Sequence, residues 1–233
     1  MAHKEECYEV DPEFRVKRVA ERANYVKNDV NAIIDNAYLC HISFIHNNRP
    51  TAIPLACWRD ADYIYFHAAN KGRLGKNLIK QDVCISIAQF DGLVLGHSAF
   101  NHSYNYRSVI VHGVVEEVCD FEKKMRAMKA FMERVLPGRW QDIRAVQNKE
   151  IQAITVMRVK LDQAVGKIRD EFPDEETDTP DWPTWIGVIP AKIQFGVPDP
   201  DPTRNTITKL PSYIDGYKGI DEYRSQYRCK FDK

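Results

Sequence analysis

The sequence predicts a mainly β fold of the α+β class, a small antiparallel barrel with helices packed on its outside. Apolar and β-branched runs of strand length recur along the chain, separated by short turns rich in Asn, Asp, Gly and Pro. Only a few segments carry apolar residues at helical spacing. The chain also lacks the regular alternation of strand and helix that a doubly wound parallel sheet requires.

The composition indicates a globular protein without an overall charge bias. The chain has 233 residues, of which 44% are hydrophobic, enough for one large domain with a real core. Its 33 basic and 33 acidic residues balance, which gives no case for a nucleic-acid or anionic-membrane partner. No apolar run approaches the ~20 residues that span a bilayer, and the N-terminus does not read as a signal peptide. We therefore expect a cytoplasmic protein.

The N-terminal half is predicted to begin with helix and to continue as a meander of strands. Residues 1–14 are expected to be flexible, and apolar spacing predicts helix within residues 15–36. Strands follow at residues 38–45, 52–58, 63–67 and 83–90. A short helix is predicted at residues 72–81, and Asp91 with Gly92 is predicted to form a hairpin turn.

The C-terminal half contains the clearest helical pattern in the sequence. Asp120 is a candidate N-cap, an apolar face predicts a helix over residues 121–136, and Pro137 ends it. Strands are predicted at residues 107–118, 151–161, 164–169 and 185–190. We place one domain at residues 15–200 and a peripheral extension, which could wrap a partner subunit, at residues 201–233.

A basic turn after the third strand is the first candidate site. Lys71, Gly72 and Arg73 lie where that strand ends and a short helix begins. Unpaired N–H groups at a helix start favour an anion, and an Arg side chain matches phosphate oxygens. A P-loop is excluded because positions 70 and 77 are both Asn, and no Rossmann glycine motif occurs. The alternative is a solvated basic turn that pairs with nearby carboxylates.

Arg107 and Ser108 are the second candidate, because they open an otherwise apolar strand. A buried cation needs a partner. Arg107 could line the same anion site as Arg73. Alternatively it occupies an edge position or pairs with Glu116, Glu117 or the acidic loop at residues 170–181.

Several histidines lie in or near predicted strands, and none has the spacing of a known metal motif. They are His41, His67, His97, His102 and His112. A structural role is the expectation for most of them. His67 differs because it ends the strand that leads into the basic turn, which makes it the candidate catalytic residue.

Seven segments, in this order, resemble the pyridoxamine 5′-phosphate oxidase-like superfamily of FMN-binding split barrels. Within it, the flavin-nucleotide-binding and nitroimidazole-resistance proteins are the most similar subgroup. The segments are residues 49–55, 64–68, 71–73, 91–95, 105–109 with Gly113, 136–139 and 185–190. The resemblance implies a six-stranded antiparallel split β-barrel with peripheral helices, which forms a homodimer with FMN at the subunit interface.

The resemblance also implies the cofactor-binding residues. Ile53, Pro54 and Leu55 would run along the isoalloxazine ring through backbone contacts. His67 and Ala68 would border the ribityl chain.

The phosphate end and the subunit interface complete the implied site. The basic turn of Lys71, Gly72 and Arg73 would hold the phosphate. Arg107 and Ser108 would reach the cofactor, from the second subunit in many relatives. Trp185 would lie in the last barrel strand near the dimer seam.

Departures from the family argue against pyridoxamine phosphate as the substrate. Pyridoxamine phosphate oxidases carry an Arg and a Lys on the strand corresponding to residues 51–57, and neither is present here. Their Ser-Arg-Lys phosphate triplet reads Gly72, Arg73 and Leu74, and their C-terminal Arg-x-His motif is absent.

Three functions remain open from the sequence. The first is an FMN-dependent oxidoreductase acting on an unknown small molecule, with NAD(P)H or another reduced carrier as reductant. The second is a non-catalytic flavin- or haem-binding or redox-sensing protein, in which a strand histidine could ligate haem. The third is an interaction module whose basic residues are structural.

Overall fold

Two antiparallel sheets carry the fold, and helices pack around them. The computed structural model describes residues 5–70, 72–174, 183–217 and 219, with the backbone alone at Arg73 and Lys76. The predicted mainly β, α+β split-barrel architecture with peripheral helices is confirmed.

The strands and helices of the described residues are as follows. The strands are β1 (Ala23–Asn24), β2 (Leu39–His46), β3 (Arg49–Ala56), β4 (Trp58–Asp60), β5 (Tyr63–Ala69), β6 (Asp82–Leu95), β7 (Ser103–Val114), β8 (Glu116–Glu117), β9 (Ile154–Lys160), β10 (Gln163–Arg169) and β11 (Gly187–Pro190). The helices are α1 (Lys27–Asp35), α2 (Arg73–Asn77), α3 (Phe121–Val135), α4 (Arg139–Asp142) and α5 (Asn148–Gln152), with 3-10 turns at Ala20–Arg22 and Ala99–Asn101.

The larger sheet has the strand order β1-β10-β7-β6-β2-β3, with β11 added to the free part of β6. The smaller sheet has the order β4-β5-β9-β8. Strands β6 and β7 form the longest pair, and their distal halves extend beyond β2 because β2 pairs with β6 only from Cys84 to Ser86. The distal halves of β6 and β7, together with β11, form a three-stranded projection that we call the arm.

The hairpin turn predicted at Asp91 and Gly92 is wrong, since both residues lie inside β6. The β6–β7 register shifts between Phe90 and Gly92, so the Asp-Gly pair marks a bulge in a continuous strand. Gly92 also lies against β11, because a Cβ atom there would be 2.8 Å from the carbonyl oxygen of Ile189. The close approach of the β6 and β11 backbones explains why residue 92 is a glycine.

Two apolar cores lie on opposite faces of β5. Ile64 and Phe66 point into the main core between the sheets. Tyr65 belongs to a second cluster, between the smaller sheet and α3, that also contains the fully buried Trp58. Alternation of side chains along the strand separates the two sets.

The helix predicted at residues 15–36 is confirmed only over α1. Before α1, Val19 has a left-handed backbone and β1 pairs with β10. In contrast, α3 matches its prediction, and the Asp120 side chain accepts a hydrogen bond from the N–H of Lys123 at 2.8 Å.

Both ends of the described chain are anchored on the domain. The N-terminal segment, expected to be flexible, contributes the buried Tyr8 and Val10 to the main core. Residues 191–217 have no regular secondary structure. There the Tyr213 hydroxyl donates to Asp142, and the Tyr217 hydroxyl donates to the carbonyl of Val135 at 2.6 Å.

Among the described helices, none combines the length and apolar character needed to cross a membrane.

Candidate functional site

The basic turn joins β5 to α2, and Asn70 fixes its position. The Asn70 backbone N–H donates to the carbonyl of Ala153 at 3.1 Å, and its side-chain amide donates to the carbonyl of Gln152. The hydroxyl of the buried Thr155 donates to Asn70 Oδ1 at 2.9 Å. The turn is therefore anchored on β9 and α5. Sequence reasoning used Asn70 only to exclude a P-loop and missed this role.

Gly72 shapes the turn and does not offer a free donor. Its N–H donates to the carbonyl of Ala69 at 2.8 Å, and a Cβ atom at Gly72 would lie 2.9 Å from that oxygen. Lys71 lies outside the described residues, and Arg73 is described only as the first residue of α2. The phosphate-binding role of Lys71 and Arg73 therefore stays a prediction.

Strand β3, which carries Ile53, Pro54 and Leu55, is the edge of the larger sheet. Ile53 and Leu55 pack against the main core, whereas Pro54 is exposed. In the described chain, β3 pairs only with β2. Its outer backbone edge is therefore available to a ligand.

Two prolines indicate which backbone groups face that edge. Pro50 and Pro54 lack an N–H, so in an edge strand their nitrogens point away from the neighbouring strand. Ala52 is two residues away from each proline. Since backbone direction repeats every two residues in a strand, the Ala52 N–H also points outward. A flat ring with acceptor atoms could receive a backbone hydrogen bond here.

His67 lies beneath α3 in the second cluster. Its ring is 6.0 Å from the Trp58 ring and 6.1 Å from the Phe131 ring, measured between centroids. Burial lowers the pKa of His67, so its imidazole is neutral at pH 7. Ala68 points to the opposite face and packs against the main core. The side chains of His67 and Ala68, both predicted to border the ribityl chain, therefore lie on opposite faces of β5.

Two buried polar atoms in this cluster lack hydrogen-bond partners among the described residues. They are Nδ1 of His67 and Nε1 of Trp58. Unpaired buried polar atoms are uncommon in native proteins and often indicate a functional site or a bound group. No sequence pattern predicted Trp58 as a site residue.

Arg107 forms a buried ion pair with Asp91 on the neighbouring strand. Its Nε donates to Oδ2 at 2.8 Å and its Nη2 donates to Oδ1 at 2.9 Å, and the two side chains are 5% and 16% exposed. The sequence prediction did not include Asp91 as a partner. Residues 175–181 of the acidic loop lie outside the described residues, so the predicted pairing of Arg107 with that loop stays a prediction. Arg107 also does not open its strand, because β7 begins at Ser103.

Within one chain, Arg107 is distant from the basic turn along its strand. The N–H of Lys80, just after α2, donates to the carbonyl of Val115. Arg107 precedes Val115 by eight residues, about 25 Å along an extended strand. The predicted contact of Arg107 with the cofactor therefore stays a prediction.

Ser108 lies between β7 and β10, whereas Trp185 lies just before β11. The Ser108 hydroxyl donates to the carbonyl of Lys167 at 3.1 Å, which ties β7 to β10. Trp185 is exposed and precedes β11 by two residues, so it does not lie in the last strand as predicted.

The described histidines, cysteines and carboxylates form no group of three or more that could hold a metal ion.

Known proteins resemble this chain over most of its length. The sequence profile described as pyridoxamine 5′-phosphate oxidase matches residues 27–168. The flavocytochrome Anf3 from Azotobacter vinelandii is 34% identical, with a TM-score of 0.84 over 89% of this chain and 97% of that protein. The FAD and heme binding protein from Mycobacterium smegmatis is 25% identical, with a TM-score of 0.80 over 85% and 98%.

A third structure shows likeness of fold alone. It is a candidate 5-nitroimidazole antibiotic resistance protein from Bacteroides thetaiotaomicron, 24% identical, with a TM-score of 0.53 over 63% of this chain and 86% of that protein. No curated protein sequence matches this chain. Because the family profile covers more than half of the chain and the Azotobacter structure matches almost throughout, this chain belongs to the pyridoxamine 5′-phosphate oxidase-like family of flavin-binding split barrels.

Proposed function

We propose that this chain is a flavin-binding redox protein, an oxidoreductase that acts on a small molecule other than pyridoxamine phosphate. The observation that carries the proposal is the likeness, over almost the whole length, to a flavocytochrome and to a FAD and heme binding protein. The FMN portion is common to FMN and FAD, and either cofactor would supply the electron chemistry.

The exposed edge of β3 and the anchored turn are the groups that would hold the flavin. The isoalloxazine ring would lie along Ile53, Pro54 and Leu55 and receive a hydrogen bond from the outward N–H of Ala52. Lys71 and Arg73 would neutralise the phosphate. Asn70 holds the turn in place through its three contacts with β9 and α5.

We also propose that two copies form a homodimer with the flavin at their interface. The arm supports this, because Ile189, Leu93 and Tyr104 are in register across its three strands and all three are exposed. Residues in register share one face of a sheet. An exposed apolar row of this kind is typical of a surface that another protein covers.

The absorption spectrum of the purified protein is the first test. A flavin band supports the proposal, and its bleaching by NAD(P)H would distinguish an enzyme from a passive carrier. A colourless protein that does not take up added FMN contradicts the proposal and favours an interaction module.

A second experiment tests the phosphate site. Arg73→Ala should weaken FMN binding about tenfold or more while riboflavin binding changes little, because only FMN carries the phosphate. Arg204→Ala, in the exposed C-terminal segment, is the matched control and should change neither affinity. Equal losses for FMN and riboflavin in a fluorescence titration would refute the assignment.

A haem site is the second candidate function, and His67 is the residue that favours it. Both relatives above bind haem or are cytochromes by name, and His67 presents a buried nitrogen without a partner in the described chain. The neutral imidazole, packed against the aromatic rings of Trp58 and Phe131, has the chemistry of an axial haem ligand. A Soret band that His67→Ala abolishes, with the flavin band retained, supports this candidate. A Soret band that persists in the variant contradicts His67 as the ligand.

A further inference from the structure

A cavity of about 650 Å³ lies against the larger sheet, where β2, β3, β6 and β7 meet the N-terminal segment. Its volume falls within the range for small-molecule sites, about 300–1,000 Å³. Apolar side chains contribute much of its lining, among them Phe14, Ile45 and Pro50. The cavity therefore has the size and the character of a site for a small apolar ligand.

Three polar side chains cross the cavity in one row. They are Ser43, Cys84 and His112. Cys84 pairs with Ser43 on one side and with His112 on the other, so the three share one face of the sheet. Ser43 and His112 are partly exposed, and their side chains make no hydrogen bond with any residue that the structure describes. Each can therefore offer a hydrogen bond to a ligand.

The aromatic wall of the cavity is held in place without a ligand. The rings of Phe14 and His112 stack with their centroids 4.1 Å apart and an angle of 12° between their planes. The Phe14 N–H donates to the carbonyl of Asp11 at 3.0 Å, and the Asp11 N–H donates to Gln163 Oε1 at 2.9 Å. These contacts fix the N-terminal segment on the sheet, so a flat ligand would meet a preformed surface.

The lining carries no positive charge to hold an anion. Burial raises the pKa of the Cys84 thiol and lowers the pKa of His112, so both side chains are uncharged at pH 7. Among the described residues that line the cavity, the exposed Asp82 is the only charged one. A phosphate or carboxylate would lose its hydration here without gaining a cation. The cavity therefore favours an uncharged ligand.

The cavity also adjoins the strand on which we place the flavin ring. Ala52, whose outward N–H would bond the ring, lines the cavity and pairs with Ser43 in register. A ligand bound over Ser43 would therefore lie next to the flavin.

We propose that this cavity binds a flat, uncharged aromatic molecule with a carbonyl oxygen, as the substrate of the oxidoreductase. The carbonyl oxygen would accept hydrogen bonds from the Ser43 hydroxyl and from the N–H that a neutral His112 ring carries. The aromatic rings would pack against Phe14 and Ile45. The assignment as substrate rests on the proposed function, whereas the chemistry of the ligand rests on the cavity alone.

Calorimetric titration of the flavin-loaded protein with chromone, an uncharged two-ring aromatic ketone, tests the ligand class. Chromone-2-carboxylate has the same rings with an added negative charge, and it should bind about tenfold more weakly or worse. Equal affinities for the two compounds, or no binding of chromone, would overturn the proposal.

Variants of the polar row test the hydrogen bonds. Ser43→Ala and His112→Phe should each weaken chromone about fivefold, the loss expected for one neutral hydrogen bond. Naphthalene has no carbonyl oxygen, so it should bind Ser43→Ala as well as the wild type. Ser86→Ala is the matched control, because Ser86 lies two residues beyond Cys84 on the same face of β6 and does not line the cavity. It should change neither ligand. Wild-type chromone affinity in Ser43→Ala would contradict the predicted contact.

The flavin absorption band tests the position of the ligand. Chromone should shift the band of the bound flavin without releasing it, because the ligand would lie next to the ring. Saturating chromone that leaves the band unchanged would contradict the assignment as substrate.

Competition separates this inference from the proposed function. If chromone and FMN displace each other, the cavity is part of the flavin site and the inference fails while the function stands. If chromone dissociates the dimer in sedimentation, a second copy covers the cavity and the inference also fails. Chromone binding by a protein that takes up no flavin would refute the proposed function and leave the ligand class of the cavity intact.

Discussion

At the residue scale, Arg134 is an important structural contact that the sequence did not reveal. Its guanidinium donates to the carbonyls of Ile34, Asp35 and Ala37 at the end of α1. It also donates to the carbonyl of Cys57 at 2.8 Å. The last carbonyls of a helix lack intrahelical partners, and here one side chain satisfies them. Burial of this cation lowers its pKa.

Arg134→Ala should lower the free energy of unfolding by about 3 kcal/mol, because several carbonyls would lose their donor at once. Arg134→Lys should have a smaller effect, since the ammonium retains the charge with fewer donors. Urea denaturation at one fixed protein concentration measures both changes. The control is Arg144→Ala, whose side chain is 64% exposed and pairs with Glu150, and whose effect should stay within about 0.5 kcal/mol. Similar losses in Arg134→Ala and Arg144→Ala would contradict this role.

His67 should make the apoprotein less stable in mild acid. Burial lowers its pKa in the folded state, so below about 6.5 the unfolded chain binds the proton more readily. Stability should fall as the pH drops from about 6.5 towards the lowered folded pKa, and this contribution is fully present above that range. His67→Phe should reduce the slope of unfolding free energy against pH below about 6.5. An unchanged slope would show that His67 is not the responsible group.

At the element scale, the arm depends on the close approach of β11 to the bulge in β6. Gly92 faces Pro190 across this pair, and Gly187 faces Leu95. A Cβ atom at Gly92 would meet backbone atoms of β11, which cannot move without breaking the ladder. The glycine therefore decides whether β11 joins the sheet.

Gly92→Ala should loosen β11 without unfolding the main core. We expect faster hydrogen exchange at the amides of Gly187 and Ile189, whose N–H groups face β6, and unchanged exchange in β2. The matched control is Gly196→Ala, because a Cβ atom at that position would meet no atom within 4 Å. If β11 in Gly92→Ala is protected from hydrogen exchange as well as in the wild type, the strand pair tolerates the added methyl group.

Elements with local signals could be predicted from the sequence, and elements fixed by distant partners could not. Helix α3 was predicted within one residue because its cap and its terminating proline are adjacent in sequence. The structure of the region before α1 was not predicted, because β1 pairs with a strand about 140 residues later in the sequence. The same distinction applies to the site. Arg107 is recognisable as an unusual strand cation, but its pairing with Asp91 depends on the register of β6 and β7.

At the scale of the whole molecule, two features of one chain are consistent with a second copy that covers it. The apolar row of Ile189, Leu93 and Tyr104 is exposed on the arm. Arg107 lies about 25 Å along its strand from the end that contacts the segment after α2. Both features are accounted for if a second copy covers the arm and brings its own strand to the flavin.

Dilution should therefore release flavin and dissociate the dimer together. Sedimentation velocity across a concentration series would give the dimer fraction, and flavin fluorescence would give the bound fraction at each concentration. Leu93→Asp places a charge in the apolar row and should shift both transitions to higher concentration by tenfold or more. Ile207→Asp, at an exposed position in the C-terminal segment, should leave both transitions unchanged. A monomer that retains its full flavin content would show that one chain is sufficient to bind the cofactor.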